Sequence, residues 1–578
     1  MLGLKTATRS IPAVGFVPRT GNVVMALILG VLGFYILYPI VLIFINSFNV
    51  ATLASDPPRY SFDNWRSAFR EPLIFEAVGN TFLIYVLYTA VSFPAAVVIA
   101  WVLGRTNVPG AHWLEFGFWV SYLLPSLTTT IGWILLLHPQ IGLLNDAALR
   151  LGFAREPIFN IYSVPGIVWA HLVGNAISIK VMLLTPAFRN MDLAYEEAAR
   201  VSGASKLYTF LRITIPMMTP VLVIVFMLNL VRLFQSFETE QLLGTPFGFF
   251  VFSTLIYRLI RFTEPAQYGH ATALASITLA LIALIIPLQR WLTQRRHFIT
   301  VGARLKTGLI DLGMARWPVF YAVTFVVLLL TLVPVLMLVL GTFMTRAGFW
   351  EVTPVFTLGN WSRLFTDNLF WIGMQTTLLL ATTSALASPL LFSILAYVLV
   401  RTSWKGRAAL DALIWSSAAL PGILSGLGLL WMFLGTPFLR PLYGTIVPLV
   451  VVVMLSGKLL GVQLSKAVFL QMGAELEESA RVSGAGWLRT YYRVWLPLMM
   501  PTLALLATIN FVGAASAAST VILLATKNTM TLSILALAFG TEGDLEVASA
   551  ISLVVVVLTL GVALAARWLG LKIGLHHQ

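Results

Sequence analysis

EEAARVSGASKLYTFLRITIP at 196–216 and EESARVSGAGWLRTYYRVWLP at 477–497 are one segment written twice. Glu197 and Glu478, Gly203 and Gly484, and Pro216 and Pro497 are each 281 residues apart, so the spacing holds over 21 residues without insertion or deletion. A constant offset over that length means one structural unit built twice, with equivalent contacts expected of both copies. The segment is polar and basic, and the sequence around it is not.

The chain has 578 residues, 58% of them hydrophobic and only 10% charged, with a mean hydropathy of +0.89. A soluble globule carries about 25% charged residues, so this is an integral membrane protein. Its apolar runs are long and continuous, which favours helices of roughly 20 residues over the roughly 10-residue alternating strands of a barrel. Twelve spans are expected, at 23–46, 77–103, 115–137, 164–188, 217–236, 270–290, 318–343, 373–400, 410–434, 446–470, 498–520 and 548–569. The stretch after Lys5, Arg9 and Arg19 is too long for a signal-peptide core and reads as the first span. With no cysteine, disulfides, thiolate metal sites and redox thiols are excluded.

A cytoplasmic N-terminus places 22 of the 37 Lys and Arg residues on the inside, including those of both repeated segments. The C-terminus then also lies in the cytoplasm. The net charge of +14 follows from this bias and from contact with anionic lipid, and it requires no nucleic acid.

The duplication is wider than the segment. Asn64-Trp65, Arg105-Thr106 and Leu124-Pro125 recur as Asn360-Trp361, Arg401-Thr402 and Leu420-Pro421 at an offset of 296. The later fall to 281 puts 15 extra residues in the first half, expected in the loop around His138 to Tyr162. Six spans per half start both halves on the same side. That makes a parallel repeat about an axis along the membrane normal, with a path between the halves. The expected organisation is 1–290 as the first half with its loop at 192–216, a basic linker at 291–317, and 318–578 as the second half with its loop at 473–497.

Each copy opens with acidic residues (Asp192, Glu196 and Glu197; Glu475, Glu477 and Glu478), which complement a helix N-terminus. Alanines follow, Ala198 and Ala199 or Ala480, and then Ser202-Gly203 or Ser483-Gly484, where glycine permits a tight reversal. A second amphipathic helix runs to Pro216 or Pro497, where the next span is expected to begin. The product is a helix-turn-helix knob on the cytoplasmic surface.

Glu197-Ala198-Ala199, Gly203, Ile213 and Pro216 resemble the EAA loop of the membrane subunits of binding-protein-dependent ABC importers. The second copy departs mildly, at Ser479 and Val494. The resemblance implies an all-α polytopic membrane protein of about twelve helices with the type I importer permease fold. It also implies that Glu196, Glu197, Ala198, Ala199, Gly203 and Pro216, with Glu477, Glu478, Ala480, Gly484 and Pro497, form coupling helices that seat in two copies of a cytoplasmic ABC ATPase. A periplasmic or extracellular solute-binding protein would dock on the outside loops. ATP and magnesium would belong to the ATPase: this chain has no G-x-x-x-x-G-K-[ST] run, because Gly457-Lys458 is followed by Leu459. The chain would be a bacterial inner-membrane subunit, with no catalytic residue, resident metal or cofactor of its own.

Polar residues inside spans are costly and mark a path or a partner. Asn229, Arg232 and Ser236 lie at i, i+3 and i+7 with Gln235 adjacent, and Asn229 repeats as Asn510 near Ser516. They are the path-lining candidates; interhelical hydrogen bonding, with Arg232 snorkelling outward or pairing with Glu238, is the competing reading. Lys180 is expected to snorkel and His171 to be a hydrogen-bonded packing residue, and no carboxylate is expected at mid-membrane. The seven histidines include no i, i+4 pair and suggest no metal cluster.

For the solute, the layout resembles the ferric-iron type of fused permease, and QSFETEQLLGTPFGFFVFSTLIYRLI at 235–260 looks like an outside segment of that group. Fused permeases for thiamine and 2-aminoethylphosphonate share the layout. In the second half, the stretch from Asn510 to Thr526 has no charge, where the iron group often has an acid. A secondary transporter or a polytopic membrane enzyme would be expected to show buried coupling carboxylates or clustered acids and histidines instead of duplicated knobs.

Overall fold

The structure, a computed structural model, describes residues 19–51, 57–192, 194–294, 308–417, 422–473 and 475–572, with the side chains of 19–21, 231–232, 285–294 and 569–572 left out of the description. Lys5, Arg9, Leu420-Pro421 and most of the expected linker lie outside these residues. All the described regular structure is helical, and backbone pairing between extended residues is limited to isolated bridges.

Every expected span falls on helix, but not always on one. Seven helices are long and apolar enough to cross a membrane, and three further helix pairs qualify together although bent by 96°, 45° and 77°. The sharpest bend lies between Ala111–Leu123 and Ser126–Leu137, where Leu124-Pro125 takes an extended conformation. The expected spans at 270–290 and 410–434 correspond to the helix Tyr268–Gln294 and to Arg407–Ser416 with Gly422–Gly435.

The two halves repeat one plan. Pro72–Arg105 and Asn368–Arg401 are both 34-residue helices that end at an arginine and pass into extended Thr106 or Thr402. At about 1.5 Å per residue, each outruns a hydrocarbon core of about 30 Å, so an end projects beyond it. Asn64 and Asn360 do the same local work: the amide of Asn64 donates to the carbonyls of Ser47 and Asn49, and that of Asn360 to Thr342 and Met344. The 15 extra residues are also located. Residues 138–163 join Ser126–Leu137 to Val164–His171, where only 436–446 join Gly422–Gly435 to Val447–Ser456, and the longer loop holds the helix Leu143–Arg150.

The first helix of each half packs on the other half. Arg19–Asn46 lies on Gly422–Gly435, and Arg316–Phe343 lies on Ser126–Leu137. Both crossings use the same device, a proline seated on a glycine. A Cβ on Gly428 would stand 2.9 Å from Pro39 Cβ, and one on Gly132 would stand 2.5 Å from the Pro334 carbonyl oxygen. Gly132 and Gly428 are 296 residues apart, the same position in both copies. Close backbone approach through small residues is how helices associate where lipid offers no hydrophobic driving force.

Candidate functional site: the paired repeat loops and the buried polar residues of the spans

Each repeated segment folds as a short helix, a reversal and a second helix. The first helices are Ala194–Val201 and Glu475–Val482. Gly203 and Gly484 sit at φ +83° and +75°, the left-handed region glycine favours. The hydrogen bonds match: Gly203 N–H donates to the Arg200 carbonyl at 3.0 Å and Ala204 N–H to Ala199 at 3.0 Å, while Gly484 donates to Arg481 and Ala485 to Ala480, each at 2.9 Å. This is a Schellman-type helix end. Nothing lies within 4 Å of a Cβ built on either glycine, so both reversals point into open space.

The tip beside each glycine is apolar. Val201 and Val482, equivalent residues, are each 90% exposed, flanked by exposed Leu207, Tyr208 and Leu211 in one copy and Trp487, Leu488 and Tyr492 in the other. Glu478 is exposed, Glu197 is half-buried, and Ala198 is exposed while Ala199 is buried against the second helix.

The second helix does not stop at the proline. Lys206–Thr209 and Trp487–Thr490 continue through π-helical turns, Phe210–Thr214 and Tyr491–Trp495, into the helices that carry Pro216 and Pro497. In the first half the run from Lys206 to Gln235 qualifies as a single span, whereas in the second the chain bends by 77° between Trp487–Leu498 and Met500–Ala515. The helix passes through Pro216 without stopping, and the π-helical turn Phe210–Thr214 immediately before it is where the regular hydrogen-bond ladder shifts to admit a residue that has no N–H.

Glu196 and Glu477 turn inward, and here the copies part. Glu196 is buried and pairs with Arg105 at 2.5 Å; Arg105 also donates to the Met191 carbonyl at 2.8 Å, and the Thr214 hydroxyl donates to the other Glu196 oxygen at 2.8 Å. Trp495 replaces Thr214 in the second copy, and the guanidinium of Arg401 lies 5.0 Å from its ring centroid and donates to the carbonyls of Phe469 and Met472. Glu477 instead accepts from Tyr397 at 3.0 Å and from Arg481, one turn on, at 2.7 Å. The first loop has a further tie to the far end of the linker: Lys206 Nζ donates to the Asp311 carbonyl at 2.9 Å, and Asn107 donates to the Asp311 carboxylate at 2.6 Å. The N–H of Gly313, with Asn107, holds that carboxyl below its usual range.

Several path expectations change. Asn229 and Asn510 are both buried, and each amide donates to the carbonyl four residues back, at 2.8 Å. The i, i+7 face does not form, because the α-helix ends at Val231, Arg232–Gln235 is a 3-10 turn, and Ser236 lies beyond it. Gln235 is exposed, and half-buried Ser516 donates to its own helix at Val512. The Arg232 side chain is outside the described set. Lys180 does not snorkel: it is fully buried, with Nζ donating to Ser92 at 2.9 Å and to the Ala176 carbonyl at 2.8 Å. His171 is hydrogen-bonded as expected, but to a buried carboxylate that the sequence reading did not anticipate. Its Nε2 lies 2.7 Å from Glu240 Oε1, Ser236 donates to Glu240 at 2.6 Å, and Tyr88 stacks on the His171 ring at 4.9 Å. Two acids, Glu238 and Glu240, just beyond the apolar run that starts at Ile215 were the available signal. Among the described residues, no group of three or more His, Asp or Glu side chains forms a metal-binding cluster.

Comparison with known proteins agrees with this architecture. The sequence matches the family described as "binding-protein-dependent transport system inner membrane component" twice, over 83–298 and 389–574. It is 24% identical over 423 residues to the ferric transport system permease protein FbpB of Actinobacillus pleuropneumoniae, covering 71% of this chain and 59% of that protein. It is 25% identical over 384 residues to a putative ferric transport system permease protein FbpB 1 of Haemophilus influenzae, covering 64% and 58%. A probable ABC transporter permease, y4fN, of Sinorhizobium fredii is 26% identical over 425 residues, covering 71% and 72%. The chain thus spans less than two thirds of the two ferric relatives it matches. A crystal structure of a bacterial ABC transporter involved in import of the acidic polysaccharide alginate is similar at a TM-score of 0.40 and 18% identity, over 48% of this chain and 96% of that one. With family matches in both halves, several apolar spanning helices and one continuous polypeptide, the chain belongs to the binding-protein-dependent transport system inner membrane components, as a multi-pass inner-membrane ABC permease with its two permease domains fused.

Proposed function

We propose that this chain is the translocating subunit of an ATP-driven importer, itself without catalytic activity, that carries ferric iron from a binding protein into the cytoplasm. The observation that carries the coupling part is the pair of matched knobs, each ending in a valine 90% exposed beside a left-handed glycine. A bare aliphatic tip on a rigid polar stalk suits a groove in another protein, and two copies suit two ATPase subunits. ATP and magnesium sit on those partners, and both chain termini, the knobs and the linker of the two halves lie on the cytoplasmic side.

The opposite face would receive the binding protein. Val164–Arg189 is one spanning stretch, so loop 138–163 and the first knob lie at its two ends. Asn145 knits that loop, accepting from Ile158 and Phe159 N–H and donating to the carbonyls of His138 and Phe159, while Leu151, Phe153 and Ile158 remain exposed. Iron is favoured over an anionic solute by the carboxylates Glu238 and Glu240 of the first half, which offset the lack of charge in the matching second-half stretch. Two ferric-transport relatives point the same way.

Three measurements test the reading. The ATPase encoded with this chain should co-purify with it, and removal of residues 143–153 should abolish stimulation of ATP hydrolysis by the binding protein. Ferric ion should raise the melting temperature of that binding protein; a rise with thiamine or 2-aminoethylphosphonate and none with iron would sink the iron assignment.

A further inference from the structure

Glu238 and Ser519 are the same position in the two copies, 281 residues apart, and they touch: Glu238 Oε1 accepts the Ser519 backbone N–H at 3.0 Å. Two copies related by a two-fold axis meet at identical positions only where the axis runs between them. In a parallel repeat that axis follows the membrane normal and the transport path. The contact is tightly framed. Gly422, at φ +40°, would place a Cβ 3.5 Å from Ser519 Oγ and 3.6 Å from the Gln235 carbonyl oxygen. Arg261 also crosses between the halves, donating to the Ile522 carbonyl at 3.3 Å.

Most of the polar groups on the first-half side of this contact have apolar counterparts in the second half, Tyr88 with Ser384 being the exception. His171, Glu240, Ser236, Tyr85, Tyr88 and Lys180 have Val452, Val521, Ala517, Ala381, Ser384 and Gly461 as their counterparts at offsets of 281 or 296. On the first-half side, Tyr85 and Tyr88 line a cavity with Thr81, Ser236, Glu240 and Ser253, closed to barely the space that admits one water molecule. The Tyr85 hydroxyl is buried, with its residue 4% exposed; its polar neighbour is Thr89, and no hydrogen bond of good geometry joins the two. A buried phenol normally finds a partner. Tyr85 also lines this cavity, a space that a ligand or water would enter.

We infer that Glu238 is a cation-selecting gate on the axis, closed here by its bond to Ser519, and that the first half alone supplies the polar station behind it. The Glu240 carboxylate is already engaged by His171 and Ser236, and Lys180 by Ser92 and Ala176. Glu238, half-buried, is in no ion pair with a described side chain. A carboxylate drawn partly out of water favours a cation that reaches it. The Glu238 carboxylate oxygens are donors suited to a hard cation, and Tyr85, Ser236 and Glu240 line the cavity of the first half. Glu238, Glu240 and His171 do not converge into a metal-holding cluster, which suits a passing ion, because a site on a path must also release what it binds.

The inference rests on the importer reading, and its test separates the two. The chain has no cysteine, so Glu238→Cys with Ser519→Cys can be cross-linked in the complete complex with its ATPase and binding protein. A thiol cross-linker should join the pair without nucleotide, and trapping the closed ATPase pair with ATP and vanadate, as its ADP–vanadate complex, should reduce the yield at least fivefold. No cross-link, or an equal yield in both states, overturns the gate. In proteoliposomes supplied with radioactive ferric citrate and binding protein, Glu238→Gln should lower uptake at least tenfold while ATP hydrolysis stimulated by the binding protein persists, and Glu238→Asp should restore part of the uptake. Wild-type uptake by Glu238→Gln overturns the selectivity. A wild-type complex that moves no iron sinks the iron assignment instead, and the gate then stands or falls on the cross-link.

Discussion

Arg105, the last residue of the helix Pro72–Arg105, and Glu196, in the first turn of the first knob, form an ion pair at 2.5 Å with side chains only 1% and 2% exposed. It ties the end of a spanning helix to the segment assigned to coupling, so a displacement of either moves the other. Breaking such a pair by removing one partner costs about 3–5 kcal/mol, because a buried charge is left alone, whereas replacing both is far less costly. Arg105→Gln and Glu196→Gln should each lower the melting temperature of the purified chain and its ATP-driven uptake. The double variant should be less impaired than the sum of the singles; strict additivity would show that the pair does not act as a unit.

The second knob is anchored more loosely. Glu477 pairs with Arg481, whose side chain is 41% exposed, and such an i, i+4 pair contributes only about 0.3–0.5 kcal/mol. Glu477→Gln should therefore cost less stability than Glu196→Gln, and amides of 475–485 should exchange hydrogen faster than those of 194–204. Equal exchange rates would mean that the different wiring has no mechanical consequence.

Gly203 and Gly484 have room for a side chain but not the backbone for one. A Cβ at either position meets no neighbour within 4 Å, yet valine there must hold a left-handed conformation at about 1–2 kcal/mol. Gly203→Val and Gly484→Val should reduce ATPase co-purification and uptake while membrane insertion persists, and asparagine, which tolerates this conformation, should be milder. Valine and asparagine variants that behave alike would contradict a backbone origin.

Val201 and Val482 test the docking surface separately from the turn. Because both are almost wholly exposed, Val201→Asp and Val482→Asp should leave the melting temperature of the isolated chain within about 0.5 kcal/mol of unchanged stability. They should weaken recovery of the ATPase at least tenfold in pull-down; undiminished recovery would move the docking surface elsewhere.

Asp311 links the second half's entry to the first knob, and its carboxyl is held below the usual range by the Gly313 N–H and Asn107. A group whose folded value is depressed contributes stability above its unfolded value, about 3.9 for aspartate, and loses it as pH falls through the lower folded value. Protection of residues 308–312 from proteolysis should persist at pH 5 and fade only below about pH 4. Asp311→Ala should expose the segment at every pH.

Much of this molecule was legible in the sequence because duplication and apolar periodicity are properties of order along the chain. The offset of 281 located both knobs, the charge pattern made them polar outgrowths of a membrane body, and Gly203 and Gly484 announced the reversals that the backbone makes. The change of offset placed the insertion that became the helix Leu143–Arg150. Where sequence spacing was projected onto an assumed continuous helix, it failed. Ser236 left the face of Asn229 because the helix tightens at Arg232 and then ends.

The sequence by itself determined a duplicated, helical membrane permease with two matched knobs, since hydrophobicity and repetition need no partner to be read. Tertiary structure alone decided that Lys180 points inward, that Glu240 finds His171 across 69 residues, and that Arg105 clamps Glu196 while Arg401 turns to Trp495. It alone put Glu238 against Ser519 on the axis. Buried polar groups are governed by which partner lies within hydrogen-bond reach, and that distance is set by how helices far apart in the chain cross, not by any local pattern of residues.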